Sequence, residues 1–86
     1  MKFNDPFVKK IIGAGETQIE CGFRPVYVKI QGAAGGMREW YKDMPNGHAL
    51  ATAQTGAQSL ATTGGITITE NGFKAAITGD AYLFAV

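Results

Sequence analysis

Few residues in this chain have side chains suited to nucleophilic or metal chemistry. One cysteine, Cys21, and one histidine, His48, lie far apart in a sequence of 86 residues. A zinc site needs three or four nitrogen or sulfur ligands at characteristic spacing, so these two residues do not predict one. Cys21 lies on the apolar side of a strand pattern with Ile19, and His48 follows a turn. We therefore expect a buried thiol and a histidine in solvent, with a Cys–His nucleophile pair as an alternative.

Acid–base and phosphate chemistry are equally poorly represented. Two glycine-rich segments, Gly13–Gly15 and Thr62–Gly65, lack the lysine and the following helix that a phosphate-binding loop needs. The carboxylates available for proton transfer lie at turns or on polar strand faces, and no spacing brings two of them together. They are Glu39, Asp43, Glu70 and Asp80. The sequence thus predicts no catalytic, cofactor or metal site, and a protein that is not an enzyme.

Aromatic residues are the remaining candidates for binding. Tyr27, Trp40 and Tyr41 could stack on a base or on a sugar ring. Nucleic-acid binding also needs a cationic surface, whereas the formal net charge is only +1 and no basic run is present. Binding of a carbohydrate by these rings therefore remains an alternative.

Charged residues make up 17% of the chain, against about a quarter in typical domains, which favours a surface partly covered in an assembly.

The length of the chain predicts a single domain over residues 1–86. An aspartate and a proline, Asp5 and Pro6, stand where a signal peptide would have an apolar stretch. No apolar run approaches the length of a membrane span. We expect a soluble chain made in a cytoplasm.

Strand patterns organise the first half of the sequence around Cys21–Gln31. After a turn this segment alternates strictly, with Val26, Val28 and Ile30 predicted on a buried face. The lysine-containing segment Phe7–Ile12 predicts an edge strand, followed by a turn at Gly13–Gly15 and a second strand at Glu16–Cys21.

The middle of the chain is less regular. Met37–Lys42 predicts a strand with one of its two aromatic rings buried and the other partly exposed. A turn follows at Asp43–Gly47. The Ala-, Thr- and Gln-rich segment His48–Thr63 predicts an extended surface loop with a short strand at Ser59–Ala61. A short helix over Ala49–Gln54 is an alternative.

The C-terminal third carries a hairpin signal, Asn71-Gly72, because both residues tolerate positive φ. A two-residue loop there would place Ile68 opposite Ala75 and Ile66 opposite Ile77. A turn at Gly79-Asp80 would lead into Tyr82–Val86. This last strand is apolar on both faces, so we expect it inside the sheet or in an interface.

Seven or eight short strands in all predict an all-β fold. We expect a small antiparallel β-sandwich or jelly-roll-like domain with a C-terminal hairpin.

Three segments in order resemble small virion proteins of tailed phages. Gly22–Ile30 is similar to their "G-F-x-P-x-x-V-x-V" strand, and Glu39–Met44 to their "E-W-x-x-G-M" segment. Leu60–Ile68 with Asn71–Phe73 is similar to their "L-V-T-S-G-G-I-T-V … G-F" hairpin, and Asp80–Phe84 to the final aromatic strand of phage jelly-roll modules. The chain departs from this pattern at Lys42-Asp43, where a glycine is common before the methionine.

The resemblance implies a particle component made in the bacterial cytoplasm and assembled on the virion. It leads us to expect a head decoration, or cement, protein that binds the major capsid protein and stabilises the shell as a homo-oligomer, without nucleic acid, membrane or cofactor. The N-terminal arm, residues 1–7, and the loop Ala49–Gln58 are the expected contacts. Candidate contact residues are Phe3, Pro6, Phe7, Trp40, Tyr41, Leu50 and Gln54. The alternative is a receptor-binding module of a tail fibre or head spike that recognises glycan through Tyr27, Trp40 or Tyr41.

Overall fold

A computed structural model describes residues 6–33 and 35–86. This part of the chain forms six strands, β1 to β6, and contains no helix that is long and apolar enough to cross a membrane. The strands are β1 (Phe7–Glu20), β2 (Tyr27–Gly32), β3 (Met37–Tyr41), β4 (His48–Thr52), β5 (Gln58–Thr69) and β6 (Gly72–Ala85).

Strand β6 organises the sheet, whose order is β1-β6-β2-β3-β4-β5. Along one edge β6 pairs with β1 over all 14 residues of each strand. Along its other edge it pairs with β5 at residues 72–74 and with β2 at residues 81–85. These two pairings close a five-stranded antiparallel barrel, with β1 as an additional strand. The all-β prediction is confirmed, whereas a sandwich or jelly roll is not.

The core lies inside the barrel and follows the period-2 alternation of its strands. On β6 the odd-numbered side chains from Phe73 to Ala85 point inward, apart from Gly79, and are almost fully buried. The largest fully buried side chains are Val28, Ile66, Phe73, Ile77 and Leu83.

The two glycine-containing turns predicted in β1 and β6 are wrong. Gly13 pairs directly with Gly79, and both strands continue through this position with unbroken register. Gly79 has φ 73°, which L side chains rarely adopt, so the glycine bends the ribbon without reversing it. The predicted strands Phe7–Ile12 and Glu16–Cys21 are therefore parts of one strand, and its position at the edge of the sheet is confirmed.

The central strand and its aromatic neighbour agree with the alternation. Val28 and Ile30 are 0% and 3% exposed, as predicted for a buried face. Val26 is 50% exposed because it precedes β2, so its assignment to that face is wrong. On β3, Trp40 is buried and Tyr41 is 44% exposed, which confirms the prediction that one ring is buried and the other partly exposed.

The predicted surface loop His48–Thr63 is largely paired backbone, and neither a loop nor a helix forms at Ala49–Thr52. Strand β4 pairs with β5 from Ala49 opposite Ala61 to Thr52 opposite Gln58. The register then shifts, so that His48 lies opposite Ile66 and residues 62–65 bulge out of the ladder. Small Ala and Thr side chains carry little hydrophobic signal, and pairing across the barrel decides their conformation.

The C-terminal hairpin is present, but the predicted register is wrong. Thr69 lies opposite Gly72 and Ile68 opposite Phe73, so the loop is Glu70-Asn71. Gly72 is the first residue of β6, and the position requires glycine because a β-carbon there would lie 1.8 Å from the carbonyl oxygen of Ile19. The observed register pairs two buried side chains, Ile68 and Phe73.

Candidate binding face on the outside of the barrel

Opposite residues in an antiparallel ladder point to the same face, and this rule gathers aromatic side chains on the outside of the barrel. Phe84 on β6 lies opposite Val8 on β1 and opposite Lys29 on β2. Tyr27 on β2 lies opposite Tyr41 on β3. We call the resulting surface the outer aromatic face; it consists of Val8, Tyr27, Tyr41, Tyr82 and Phe84.

Much of this apolar surface is open to solvent. Val8 is 71% exposed, Tyr82 49% and Tyr41 44%. A groove of about 310 Å³ runs between β1, β6 and β2, lined on this face by Val8, Tyr82 and Phe84. Exposed apolar side chains that are contiguous rather than scattered are typical of interaction sites.

The aromatic rings are held in a fixed arrangement. The ring centroids of Tyr27 and Tyr41 lie 5.2 Å apart with an interplanar angle of 54°. Tyr27 also meets Phe84 edge-on, with centroids 6.0 Å apart. Such tilted contacts favour one geometry of the rings, so the face is organised before any partner arrives.

Glu39 joins the two tyrosines through its carboxylate. The Tyr27 hydroxyl donates to Oε2 of Glu39 at 2.5 Å, and the Tyr41 hydroxyl donates to the same oxygen at 3.2 Å. Burial raises the pKa of Tyr27 well above its usual range, and the hydrogen bond and the charge of Glu39 raise it further. The pKa of Tyr41 is also raised, by desolvation first and then by Glu39.

Charged groups border the face on its β1 side. Lys10 pairs with Asp80 at 3.8 Å, and its ammonium lies 5.7 Å from the centroid of the Tyr82 ring. Lysine over an aromatic ring is a weak attraction at exposed sites. This rim borders Tyr82 while leaving 49% of its surface exposed.

Two of the candidate contact residues lie on or beside this surface. Tyr41 belongs to the outer aromatic face. Leu50 lies opposite Glu39 on one side and opposite Leu60 on the other, and Leu60 is 59% exposed. The apolar surface thus extends from the tyrosine pair onto β4 and β5.

The remaining candidates lie elsewhere. Trp40 is only 6% exposed, and its indole N–H donates to the carbonyl of Pro45 at 3.4 Å, so its ring supports the core rather than offering a contact surface. Phe7 is the first residue of β1 and packs against the core, so the predicted arm does not include it. Pro6 and Gln54 are exposed, and Phe3 lies outside the described residues.

The cysteine and the histidine do not form a recognisable site. Cys21 is half-buried just after β1, and its thiol donates to the carbonyl of Phe23 at 3.3 Å. His48 is the half-buried first residue of β4, so the prediction of a histidine in solvent is wrong. Within residues 6–33 and 35–86, no group of three or more His, Cys, Asp or Glu side chains could hold a metal ion.

Sequence reasoning did not single out Val8, Tyr82 or Phe84. The available signal was the apolar character of both faces of Tyr82–Val86, which predicted a strand inside the sheet or in an interface. The structure confirms the first of these, because β1 and β2 flank this segment. The outward side chains of that strand, Tyr82 and Phe84, were the signal for a binding face.

Arg38 occupies the seam where the barrel closes. Residues 75–80 of β6 lie between the segment that pairs with β5 and the segment that pairs with β2. Along this stretch, the edge of β6 that faces away from β1 has no neighbouring strand among the described residues. There the Arg38 guanidinium donates to the carbonyl of Ala76 at 2.5 Å. Burial lowers the pKa of Arg38. An open cavity of about 350 Å³ lies at this seam, lined by Arg38, Ile77 and Thr78 among others.

In comparisons with known proteins, no family model, no curated protein and no solved structure matches this chain.

Proposed function

We propose that this chain is a non-enzymatic virion structural protein of a tailed phage, most simply a head decoration protein that binds the outside of the capsid. The proposal joins two independent supports. One is the ordered resemblance of Gly22–Ile30, of Glu39–Met44 and of Leu60–Ile68 with Asn71–Phe73 to small phage virion proteins. The other is the outer aromatic face.

The outer aromatic face is the observation that carries the proposal. It places four aromatic rings and one aliphatic side chain on one face of the sheet, where Tyr82 is 49% exposed and Val8 71% exposed. Aromatic anchors of this kind dominate binding energy at protein interfaces, because they bury large areas at a small cost in side-chain entropy. A face that is already ordered in the free chain loses little further entropy when it binds.

The size of the domain fits attachment to a shell. A chain of 86 residues buries a modest fraction of its surface on folding, so partner contacts add substantially to its stability. In turn, a small rigid module that bridges two capsid subunits would hold them together. The expected partner is the major capsid protein, and the expected location is the capsid surface.

The first test is the copy number of this chain relative to the major capsid protein in purified particles, measured by quantitative mass spectrometry. A ratio near one, or a simple lattice fraction, is the result expected of a decoration protein. A handful of copies would indicate a spike or a tail part. Absence from the particles would overturn the virion proposal.

A variant pair tests whether the outer aromatic face makes the attachment. Tyr82→Ser combined with Phe84→Ser should reduce the occupancy of particles severalfold, because both anchors are removed from the face. Glu70→Ser, in the exposed β5–β6 turn, is the matched control and should bind as the parent does. Circular dichroism establishes that each variant is folded. Equal occupancy for the double variant and the control would exclude this face as the contact.

The tyrosine pair supports one alternative function, a glycan-binding module of a tail fibre or head spike. Two tilted rings beside a carboxylate match the way proteins stack on sugars and accept hydrogen bonds from their hydroxyls. Tyr41→Ala is the informative variant because Tyr41 is exposed, whereas replacing the buried Trp40 would disturb the fold. Binding to host polysaccharide that is lost in Tyr41→Ala would favour this alternative over shell attachment.

A further inference from the structure

Strand β1 has one edge that no described strand covers. It stands at the end of the sheet order, and it is 14 residues long. An edge of this length presents a row of unpaired backbone donors and acceptors, and it is a template for pairing with another strand.

The ladder shows which backbone groups point to this free edge. The Cys21 N–H donates to the carbonyl of Asn71 at 2.8 Å, one step beyond the pair of Glu20 with Gly72. Backbone groups of successive residues in a strand point to opposite edges. Since the register is unbroken from Phe7 to Glu20, the odd-numbered residues of β1 bond to β6, and the even-numbered residues face outward.

The side chains at these even positions are unusual for a solvated edge. Val8 and Ile12 are 71% and 79% exposed, although both are β-branched apolar residues that favour paired strands. Lysines in β1 would discourage a random strand from pairing there. They lie only in the first half, at positions 9 and 10, whereas glutamates occupy positions 16 and 20 in the second half.

We propose that the partner of this edge is β1 of a second copy of the chain, antiparallel and related by a twofold axis at Gly13. In this register Lys10 lies opposite Glu16 of the other copy, twice by symmetry, and Ile12 lies opposite Ala14. The register pairs even with even positions, which are those whose backbone groups are free. A shift by two residues in either direction removes the Lys10–Glu16 pair.

Existing ion pairs extend this charge match. Lys10 already pairs with Asp80 at 3.8 Å, and Glu16 pairs with Lys74 at 3.9 Å. The dimer would join them into rows of four alternating charges across the interface. Charge networks of this kind fix partner and register more than they add affinity. The inference does not depend on the proposed virion role, because a dimer in solution needs no particle.

Sedimentation equilibrium over a range of concentrations tests the proposal. The parent chain, of 9.1 kDa, should reversibly form a species of twice that mass. Lys10→Glu and Glu16→Lys should each weaken self-association by about tenfold, because both symmetry-related pairs become like-charge contacts. Mixed in equal amounts, the two variants should form a heterodimer, since both contacts across the interface between positions 10 and 16 are again between opposite charges.

A second measurement locates the interface. Hydrogen exchange should slow with rising concentration at the even-numbered amides of β1, such as those of Lys10 and Ile12, while the odd-numbered amides are protected at every concentration. A chain that stays monomeric at all concentrations would overturn the proposal. A dimer that forms equally well with either charge reversal, or whose protection lies away from β1, would overturn it as well.

Discussion

At the residue scale, Tyr27 links the outer aromatic face to the stability of the barrel. Its ring contacts Tyr41 and Phe84, and its hydroxyl donates to Glu39. The fold favours the protonated phenol, because burial and a neighbouring carboxylate both disfavour the phenolate. The pKa of Tyr27 in the folded chain therefore lies above that in the unfolded chain, which is about 10.

This difference predicts the direction of a pH effect. The stabilisation associated with the raised pKa of Tyr27 is complete below about pH 10 and is lost as the pH rises above that value. Urea unfolding between pH 8 and pH 12 should show a steep loss of stability for the parent and a shallower one for Tyr27→Phe. At pH 8, Tyr27→Phe should cost about 1 kcal/mol through the lost hydrogen bond. Tyr82→Phe is the matched control and should follow the parent; identical slopes for all three chains would contradict the prediction.

At the element scale, the pairing of β1 with β6 depends on close approach at Gly72. A β-carbon at this position would overlap the backbone of Ile19 and Glu20, which a small rotation of a side chain cannot relieve. Gly72→Ala should therefore lower the free energy of unfolding by about 3 kcal/mol. Gly56→Ala is the comparison, because Gly56 has open space around it and only a positive φ of 90°.

The Gly56→Ala variant should cost only about 1 kcal/mol, the strain of a left-handed backbone with a β-carbon. Chemical denaturation of both variants measures the difference. Equal losses would show that the contact at Gly72 relaxes without disturbing β1.

At the level of elements, the sequence pattern predicted some strands and missed others. Alternation located β2, β3 and the buried faces of Ile19, Val28 and Ile30, because burial on one side of a sheet imposes a period of two. It did not locate β4, whose small side chains pair without an apolar stripe. Gly13 and Gly79 predicted turns because glycine permits both a reversal and a bend, and only the long-range pairing of β1 with β6 decides between them.

The candidate site was harder to predict than the fold for the same reason. Tyr41 and Leu50 were among the expected contacts, but the outer aromatic face combines residues from β1, β2, β3 and β6. Its composition follows from register, which brings Val8 beside Phe84 across 76 positions of sequence. Local patterns carry no information on that pairing.

At the scale of the whole molecule, the two proposals have a joint geometric consequence. Residues opposite each other in a ladder share a face, so antiparallel pairing of two β1 strands continues one sheet from copy to copy. Both outer aromatic faces would then lie on the same side of the dimer. Two linked faces that reach a shell together bind more tightly than either one alone. Dimer formation and attachment remain separately measurable, the first in solution and the second on particles.

Closure of the barrel gives the last prediction. Strand β6 pairs with β5 near one end and with β2 near the other. Between these two pairings, the Arg38 guanidinium donates a hydrogen bond to the Ala76 carbonyl. Arg38→Met keeps most of the apolar stem and removes the charged donor. It should lower the free energy of unfolding by about 1 kcal/mol, since water can partly replace the guanidinium at the exposed Ala76.

Arg24→Met, at an exposed position before β2, is the matched control and should leave the free energy of unfolding within about 0.5 kcal/mol of the parent. Hydrogen exchange should rise for residues 75–79 of β6 in Arg38→Met alone, because the seam is then held without Arg38, by its flanking pairings and by the bond from the Ala33 N–H to the Asp80 carbonyl. Unchanged exchange there would mean that the two flanking pairings close the barrel without Arg38.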